Sequence, residues 1–190
     1  NKRSLNLIMS HRDPTVENAT QLEVAIRQLN TSINLFFHSG DVFSIYSLTR
    51  NAEEIISGCL RVKGCMSLWD DIVNNHVKSE YKEKLLKMAN DPRNNLKHKR
   101  NGENDKVSLP IELNEHFLHT CVNALQIYWP SVWGQHPECG VFMAWMRTHH
   151  PELYITKVET IKGDELLSKP DFFKKYKYLY QEVERQHGPL

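Results

Sequence analysis

The sequence predicts an all-α fold, an up-and-down helical bundle with extra helices at its C-terminal end. Apolar residues recur at intervals of three and four over long stretches, and Gly, Asn or Pro marks most of the breaks between those stretches. No stretch alternates apolar and polar residues over the length of a strand, and no internal repeat is found. We expect one domain over residues 1–190, with a core at about 15–150 and a C-terminal helical extension at about 151–190.

The first two helices are predicted over residues 15–38 and 42–62. In both, the apolar residues fall on one face, which is the pattern of a helix that packs against a core. Between them, Gly40 is a typical helix terminator and Asp41 a typical N-cap of the next helix. Because the break is so short, we expect the pair to form an antiparallel hairpin.

The later helices follow from the same pattern. Residues 78–90 predict a short helix, and Pro92 predicts that the chain turns at Asp91, because a residue before proline disfavours helical geometry. The pair Asn101-Gly102 predicts a turn. Further helices are predicted over three segments, at residues 111–129, 139–149 and 171–186.

Composition restricts the class of protein. Hydrophobic residues make up 40% and charged residues 25% of the chain, which is ordinary for a globular protein, and no apolar run is long enough to span a bilayer. The N-terminus lacks the pattern of a secretory signal. Four cysteines without a CxxC pair favour free thiols, so we expect a cytoplasmic protein without membrane association.

The net charge and the motifs that the sequence lacks further restrict the functions to be considered. The formal net charge is +1, so affinity for a nucleic acid must come from local clustering of charge. The chain contains no GxGxxG, Walker, HExxH or GxSxG motif, which leaves nucleotide hydrolysis and those hydrolase classes unsupported. The most informative segment is therefore a basic one, residues 91–100, which reads DPRNNLKHKR.

This basic segment combines the two kinds of group that metal-free RNA cleavage needs. Arg93 carries a permanent charge on a planar fork that matches two phosphate oxygens, and His98 titrates near neutral pH. One can offset charge in the transition state while the other transfers a proton. Asn94 could hold the scissile group or orient the imidazole. Lys97, Lys99 and Arg100 add charge that would attract an RNA backbone.

The sequence RNNLKH at residues 93–98 resembles the R-x(4–6)-H motif of the HEPN superfamily (higher eukaryotes and prokaryotes nucleotide-binding domains). In that superfamily the residue after the arginine is usually Asn, Asp or His, and Asn94 fits. The segment from Gln28 to Ile56 also resembles uncharacterised bacterial HEPN-like proteins. One position departs from the pattern, because many catalytic members have Tyr two residues after the histidine and this chain has Arg100.

The resemblance implies a metal-independent endoribonuclease that needs no cofactor. Such enzymes are usually homodimers in which two motifs face one another, and their products carry a 2′,3′-cyclic phosphate and a 5′-hydroxyl. Many act as toxins or anti-phage effectors, so an antitoxin protein is an expected partner beside the RNA substrate. The alternative is a catalytically inactive HEPN-like domain that binds a partner or a nucleotide. In that case Arg93 and His98 only cap a helix and contact nearby carboxylates.

Three other sets of residues are candidates. In some HEPN proteins an acidic residue of the hairpin approaches the motif, and either Glu53 or Glu54 could do so here, although a surface glutamate is the default interpretation. The pair His116 and His119 has metal-ligand spacing but lacks matching partners, so we expect no metal. Aromatic residues around Trp145 could stack bases, but their helical spacing favours the core.

Overall fold

The structure, a computed structural model, describes residues 17–76, 78–97, 106–154 and 163–187. The α-helices of this part of the chain, numbered in order, are α1 (Gln21–Phe37), α2 (Val42–Val62), α3 (Leu68–Asp71), α4 (Ser79–Lys97), α5 (Glu112–Tyr128), α6 (Pro130–Trp133), α7 (Pro137–His149) and α8 (Lys169–His187). A π-helical turn, Ile72–His76, extends α3, and two 3₁₀ turns, Pro151–Leu153 and Asp164–Leu166, precede α8. The described residues contain no strand, and the predicted all-α class is confirmed.

The predicted α1–α2 hairpin is present, and local chemistry defines its ends. Thr20 and Glu23 form a reciprocal capping box at the start of α1. Asp41 caps α2 by accepting a hydrogen bond of 2.7 Å from the backbone N–H of Ser44. Between the helices Ser39 has a φ of 54°, a left-handed conformation that reverses the chain within a few residues.

The interior of the hairpin contains a polar contact between two buried hydroxyls. The side chains of Ser32 on α1 and Thr49 on α2 lie 2.6 Å apart, and their oxygens lie 3.0 and 2.8 Å from the carbonyl of Ile45, within hydrogen-bonding distance. These contacts satisfy buried polar groups that would otherwise destabilise the fold. They also fix the two helices in one register.

Helix α5 packs beside α2 and runs parallel to it. The Asn114 amide donates to the carbonyl of Val42 at 3.1 Å, and one turn further along both helices the rings of Tyr46 and Phe117 meet at 5.8 Å. Successive contacts therefore advance in the same direction along both helices. A parallel pair requires the intervening chain to return to the end of the bundle at which α2 begins.

Aromatic side chains join α1, α7 and α8 into the largest part of the core. Phe37 contacts Phe142, Trp145 and Phe172, with ring centroids between 5.6 and 6.4 Å apart. Trp145 is buried, as predicted, whereas Trp129 and Trp133 pack against this core while remaining partly accessible. The C-terminal helix α8 therefore packs directly on the bundle.

Helices α7 and α8 approach so closely that one position has no room for a side chain. A Cβ at Gly140 would collide with the ring and hydroxyl of Tyr180, well inside any real contact distance. Tyr180 fills the space that the absent side chain leaves. A larger residue at this position would therefore require Tyr180 to move, and the constraint is one of packing, since the φ of Gly140 is not positive.

One sequence prediction was wrong: α4 does not end near Asn90 but continues through Pro92 to Lys97. Proline removes one backbone donor and displaces the preceding carbonyls, which usually ends a helix. Here the carbonyl of Ala89, three residues before Pro92, accepts a hydrogen bond of 2.8 Å from the Tyr46 hydroxyl. Pro92 itself is buried, so tertiary contacts with α2 override the local preference.

Two further observations concern the cysteines and the possibility of a membrane span. The four cysteines are free, with Cys121 and Cys139 buried and Cys59 and Cys65 half-buried. None of the helices in the described ranges is both long enough and apolar enough to cross a membrane.

Candidate functional site

The structure describes part of the predicted site. Arg93 and Asn94 lie in the second half of α4, Arg93 half-buried and Asn94 exposed. Lys97 is the last residue of that helix. His98, Lys99 and Arg100 lie outside the described residues.

The helical placement of Arg93 changes the expected geometry of the motif. The sequence predicted a turn immediately before it, whereas the observed helix continues for four residues beyond it. Arg93 is therefore followed by about one more turn of α4, which ends at Lys97. The first five of the six motif residues are thus held by a helical backbone rather than by a loop.

Arg93 forms an ion pair with Glu54 of α2, through Nη2 and Oε2. The arginine side chain is 23% exposed and the glutamate side chain 57% exposed. The acidic residue that approaches the motif is therefore Glu54, one of the two candidates from the sequence. This is also the contact with a nearby carboxylate that the non-catalytic interpretation expects.

Glu54 belongs to a row of contacts that attaches α4 to α2. Three side chains on one face of α2, spaced four residues apart, reach α4 on either side of Pro92: Tyr46, Arg50 and Glu54. Tyr46 bonds the carbonyl of Ala89, and Arg50 Nη2 donates to Asn90 Oδ1 at 3.3 Å. The row places the Arg93 side chain on the side of α4 that faces α2.

Arg50, the middle residue of this row, also forms a buried ion pair with Glu53. Arg50 Nη1 lies 2.6 Å from Glu53 Oε2, and the two side chains are only 5% and 7% exposed. The second carboxylate oxygen accepts a hydrogen bond of 3.0 Å from the Ser57 hydroxyl, which in turn accepts one from the backbone N–H of Leu68. Glu53, the other acidic candidate, thus connects α2 to the start of α3 rather than to Arg93.

The Arg50 guanidinium also packs against aromatic rings of the neighbouring helices. Its central carbon lies 4.5 Å from the Phe117 centroid on α5 and 5.9 Å from the Trp69 centroid on α3. Its Nε is buried without a hydrogen-bond partner within the described part of the chain. One charged group therefore contacts α3, α4 and α5 together, and a desolvated cation over aromatic faces gains more than an exposed one.

Burial and charge act on Tyr46 in opposite directions. Burial raises the pKa of its phenol, while the nearby charge of Arg50 and the backbone N–H of Arg93 act to lower it. The net shift of the pKa is upward, so Tyr46 remains a neutral hydrogen-bond donor near neutral pH. Its role at this site is structural, holding α4 in place across the proline.

Among the motif residues whose side chains the structure describes, Arg93 is the one that can bind an anion through a positive charge. Arginine has five N–H donors, and the hydrogen bond to Glu54 is made by Nη2 of the guanidinium. An ion pair with a partner this exposed contributes about 0–1 kcal/mol, so a second anion can displace the carboxylate or share the guanidinium with it. A phosphate diester accepts the same bidentate geometry.

Of the two histidines on α5, only His119 has a side-chain hydrogen-bond partner among the described residues. His119 Nε2 lies 3.2 Å from the Tyr154 hydroxyl, and burial, with smaller contributions from nearby cations, lowers the pKa of His119. Glu115, on the same helix, lies 2.7 Å from His150 Nε2. Among the described residues no group of three or more acidic, Cys or His side chains is placed to hold a metal ion.

Comparison of the chain with models of protein families, with curated proteins and with solved structures finds no match. The assignment of a function therefore depends on the residues described above.

Sequence reasoning missed Tyr46, Arg50 and Asn90, the residues that hold α4. A signal was present for Arg50, because it falls on the apolar face of α2 together with Ile45, Thr49 and Ile56. A charged residue at a core position needs a buried partner, and Glu53 lies three residues away on the same face. Asn90 carries no such signal, since Asn next to Asp-Pro is typical of a turn.

Proposed function

We propose that this protein is a metal-independent endoribonuclease of the HEPN type. His98 takes the proton of a ribose 2′-hydroxyl, and the 2′-oxygen bonds to phosphorus as the bond to the 5′-oxygen breaks. The imidazolium formed in this way returns the proton to that leaving oxygen, giving a 2′,3′-cyclic phosphate and a 5′-hydroxyl. Arg93 binds the phosphate and offsets charge in the transition state, and Asn94 orients the reacting group.

The observation that supports the proposal is the position of Arg93, a partly exposed guanidinium on a helix that side chains of α2 contact. Tyr46, Arg50 and Glu54 contact α4 on both sides of Pro92, and Glu54 holds the guanidinium of Arg93 at the surface. Preorganised charge is the main source of this kind of transition-state stabilisation. The chain passes directly from the end of α4 at Lys97 to His98.

The remaining cations and the assembly belong to the same proposal. Lys97, Lys99 and Arg100 guide the RNA backbone, and a homodimer brings two motifs to one composite site. A growth-arresting ribonuclease of this kind acts as a toxin or anti-phage effector and requires an antitoxin protein as a partner.

The test measures cleavage of total RNA in the presence of a chelator. We expect fragments ending in a cyclic phosphate from the parent protein, and none from Arg93→Ala or His98→Ala. Arg27→Ala is the matched control, because Arg27 is likewise a surface arginine in an ion pair, with Glu17, on another face. Cleavage by both motif variants at the rate of the parent, after rigorous purification, would exclude the assignment.

The second candidate function is a catalytically inactive interaction domain, and the Arg93–Glu54 ion pair favours it. In this interpretation the carboxylate neutralises Arg93 and the pair only attaches α4 to α2. We then expect no RNA cleavage with any variant. A protein partner that binds the parent chain, and that Arg93→Ala does not release, would complete this assignment.

A further inference from the structure

A groove lies along α5 on the side of the molecule formed with α3 and α4, and its volume is about 640 Å³. We call it the α5 groove. Its polar lining comes mainly from one face of α5, at positions spaced as successive turns of a helix: His116, His119, Thr120 and Asn123. Pockets that bind small molecules have this size and this combination of apolar walls with a few polar groups.

The apolar walls of the α5 groove are accessible to solvent. Five large hydrophobic side chains that line it are between 41 and 61% exposed: Met66, Met88, Ile127, Tyr128 and Leu153. Scattered exposed apolar residues need no explanation, but a contiguous group around a groove marks a binding surface. Two of the five are methionines, whose thioethers pack well against aromatic rings.

Two polar side chains in the α5 groove have capacity for a ligand. The imidazole of His116 and the carboxamide of Asn123 have no hydrogen-bond partner among the described residues. Each offers both a donor and an acceptor when the imidazole is neutral. Seven residues separate them, which is about 10 Å along a helix. A single flat molecule with a polar group at each end can reach both.

The charges lining the α5 groove disfavour an anionic ligand. Among the residues that the structure describes, no Lys or Arg lines the groove, and Asp71 is its only acidic lining residue. Burial lowers the pKa of His119, so this side chain is neutral near pH 7 and adds no positive charge. The groove therefore differs from the Arg93 surface, which is suited to phosphate.

We propose that the α5 groove binds a neutral, flat heteroaromatic molecule of nucleoside size. Its ring lies against the methionines and Ile127, and its polar ends bond His116 and Asn123. This site is separate from the proposed cleavage site, and the proposal does not depend on ribonuclease activity.

The test is a titration of the full chain with adenosine, followed by calorimetry or by ligand-observed NMR. We expect a dissociation constant of roughly 0.1–1 mM for a compound of this size. Loss of one hydrogen bond in Asn123→Ala or His116→Ala should weaken binding about two- to tenfold. AMP should bind no more tightly than adenosine, because the described lining offers no cation to its phosphate.

Two further variants make the result specific. Ile127→Trp enlarges an exposed side chain at the rim and should block the groove without disturbing the core. Asn51→Ala removes an exposed asparagine of α2 that does not line the groove, and should leave binding unchanged. The proposal is overturned if adenosine does not bind at several millimolar, if Ile127→Trp binds it like the parent, or if AMP binds more tightly and Arg93→Ala removes that preference.

Discussion

The Tyr46 hydroxyl donates a hydrogen bond of 2.8 Å to the carbonyl of Ala89, three residues before the proline of α4. This bond spans 43 positions in the sequence and satisfies a backbone group near the site of helix disruption. It allows the helix to continue to Lys97 and places Arg93 on a helical backbone. The geometry of the candidate site thus depends on a residue of the first hairpin.

Removing this hydroxyl in Tyr46→Phe should destabilise the protein. The buried Ala89 carbonyl loses its donor, and an unsatisfied buried acceptor costs about 1–3 kcal/mol. Urea unfolding followed by circular dichroism measures the effect. Tyr81→Phe is the matched control, because Tyr81 is exposed on α4 and should change the unfolding free energy by less than about 0.5 kcal/mol. Equal effects of the two variants would contradict the role assigned to Tyr46.

The buried pair of Arg50 and Glu53 should show strong coupling. Removing one partner leaves an uncompensated buried charge, so Arg50→Met and Glu53→Gln should each lower the unfolding free energy by about 3–5 kcal/mol. The double variant Arg50→Met/Glu53→Gln should cost much less than the sum of the single changes. Additive effects in this cycle would mean that the two side chains do not stabilise one another.

Neutralising Glu54 should strengthen binding of RNA. Glu54→Gln releases the Arg93 guanidinium from its ion pair and removes a negative charge beside it. We expect severalfold tighter binding of a single-stranded RNA and a steeper dependence on salt, measured by fluorescence anisotropy. Glu17→Gln breaks the surface ion pair with Arg27 and removes the same charge, so it controls for the change in net charge. The same gain in both variants would locate RNA binding away from Arg93.

The lowered pKa of His119 should make the stability of the folded chain depend on pH. Its pKa in the folded chain is lowered by burial, whereas the unfolded chain has the ordinary value near 6.5. As the pH falls through that value the unfolded state binds a proton that the folded state takes up only at lower pH, so the protein loses stability as the pH falls from about 7.5 into the acid range. His119→Gln should lose less stability over this interval than the parent. Identical pH profiles would show that His119 titrates normally.

Two glycines should respond in opposite ways to substitution by alanine. Gly140→Ala forces a Cβ against Tyr180, and overpacking of this kind typically destabilises a protein by about 1–3 kcal/mol. Gly58, inside α2, has no neighbouring atom within 4 Å of the position that a Cβ would take, so Gly58→Ala should stabilise the helix by about 0.5–1 kcal/mol. Thermal unfolding of the two variants checks both signs. A smaller loss for Gly140→Ala when Tyr180 is shortened to Leu would confirm the clash.

The helical periodicity was sufficient to predict the class of the fold and the position of the first hairpin. The apolar faces of α1 and α2 and the N-cap at Asp41 are local signals, and local signals can be read from one sequence. The end of α4 could not be predicted in the same way. Whether a helix continues through Pro92 depends on Tyr46, a residue of another helix.

The candidate site likewise combines residues that a local motif predicts with a contact that depends on packing between helices. Arg93 and Asn94 follow from a short motif, whereas the choice between Glu53 and Glu54 depends on how α4 is rotated against α2. Neighbouring residues of a helix point about 100° apart, so only the packing decides which of the two meets Arg93. The catalytic role of His98 stays a prediction.

The parallel arrangement of α2 and α5 has a consequence for the order in which the chain folds. Contacts within the α1–α2 hairpin close a short loop, whereas the contact of Val42 with Asn114 closes one of 72 residues. Closing the longer loop costs more chain entropy and slows the step that needs it. We therefore expect the hairpin to be formed already in the folding transition state. Core substitutions in α1 should then slow refolding more than those in α5.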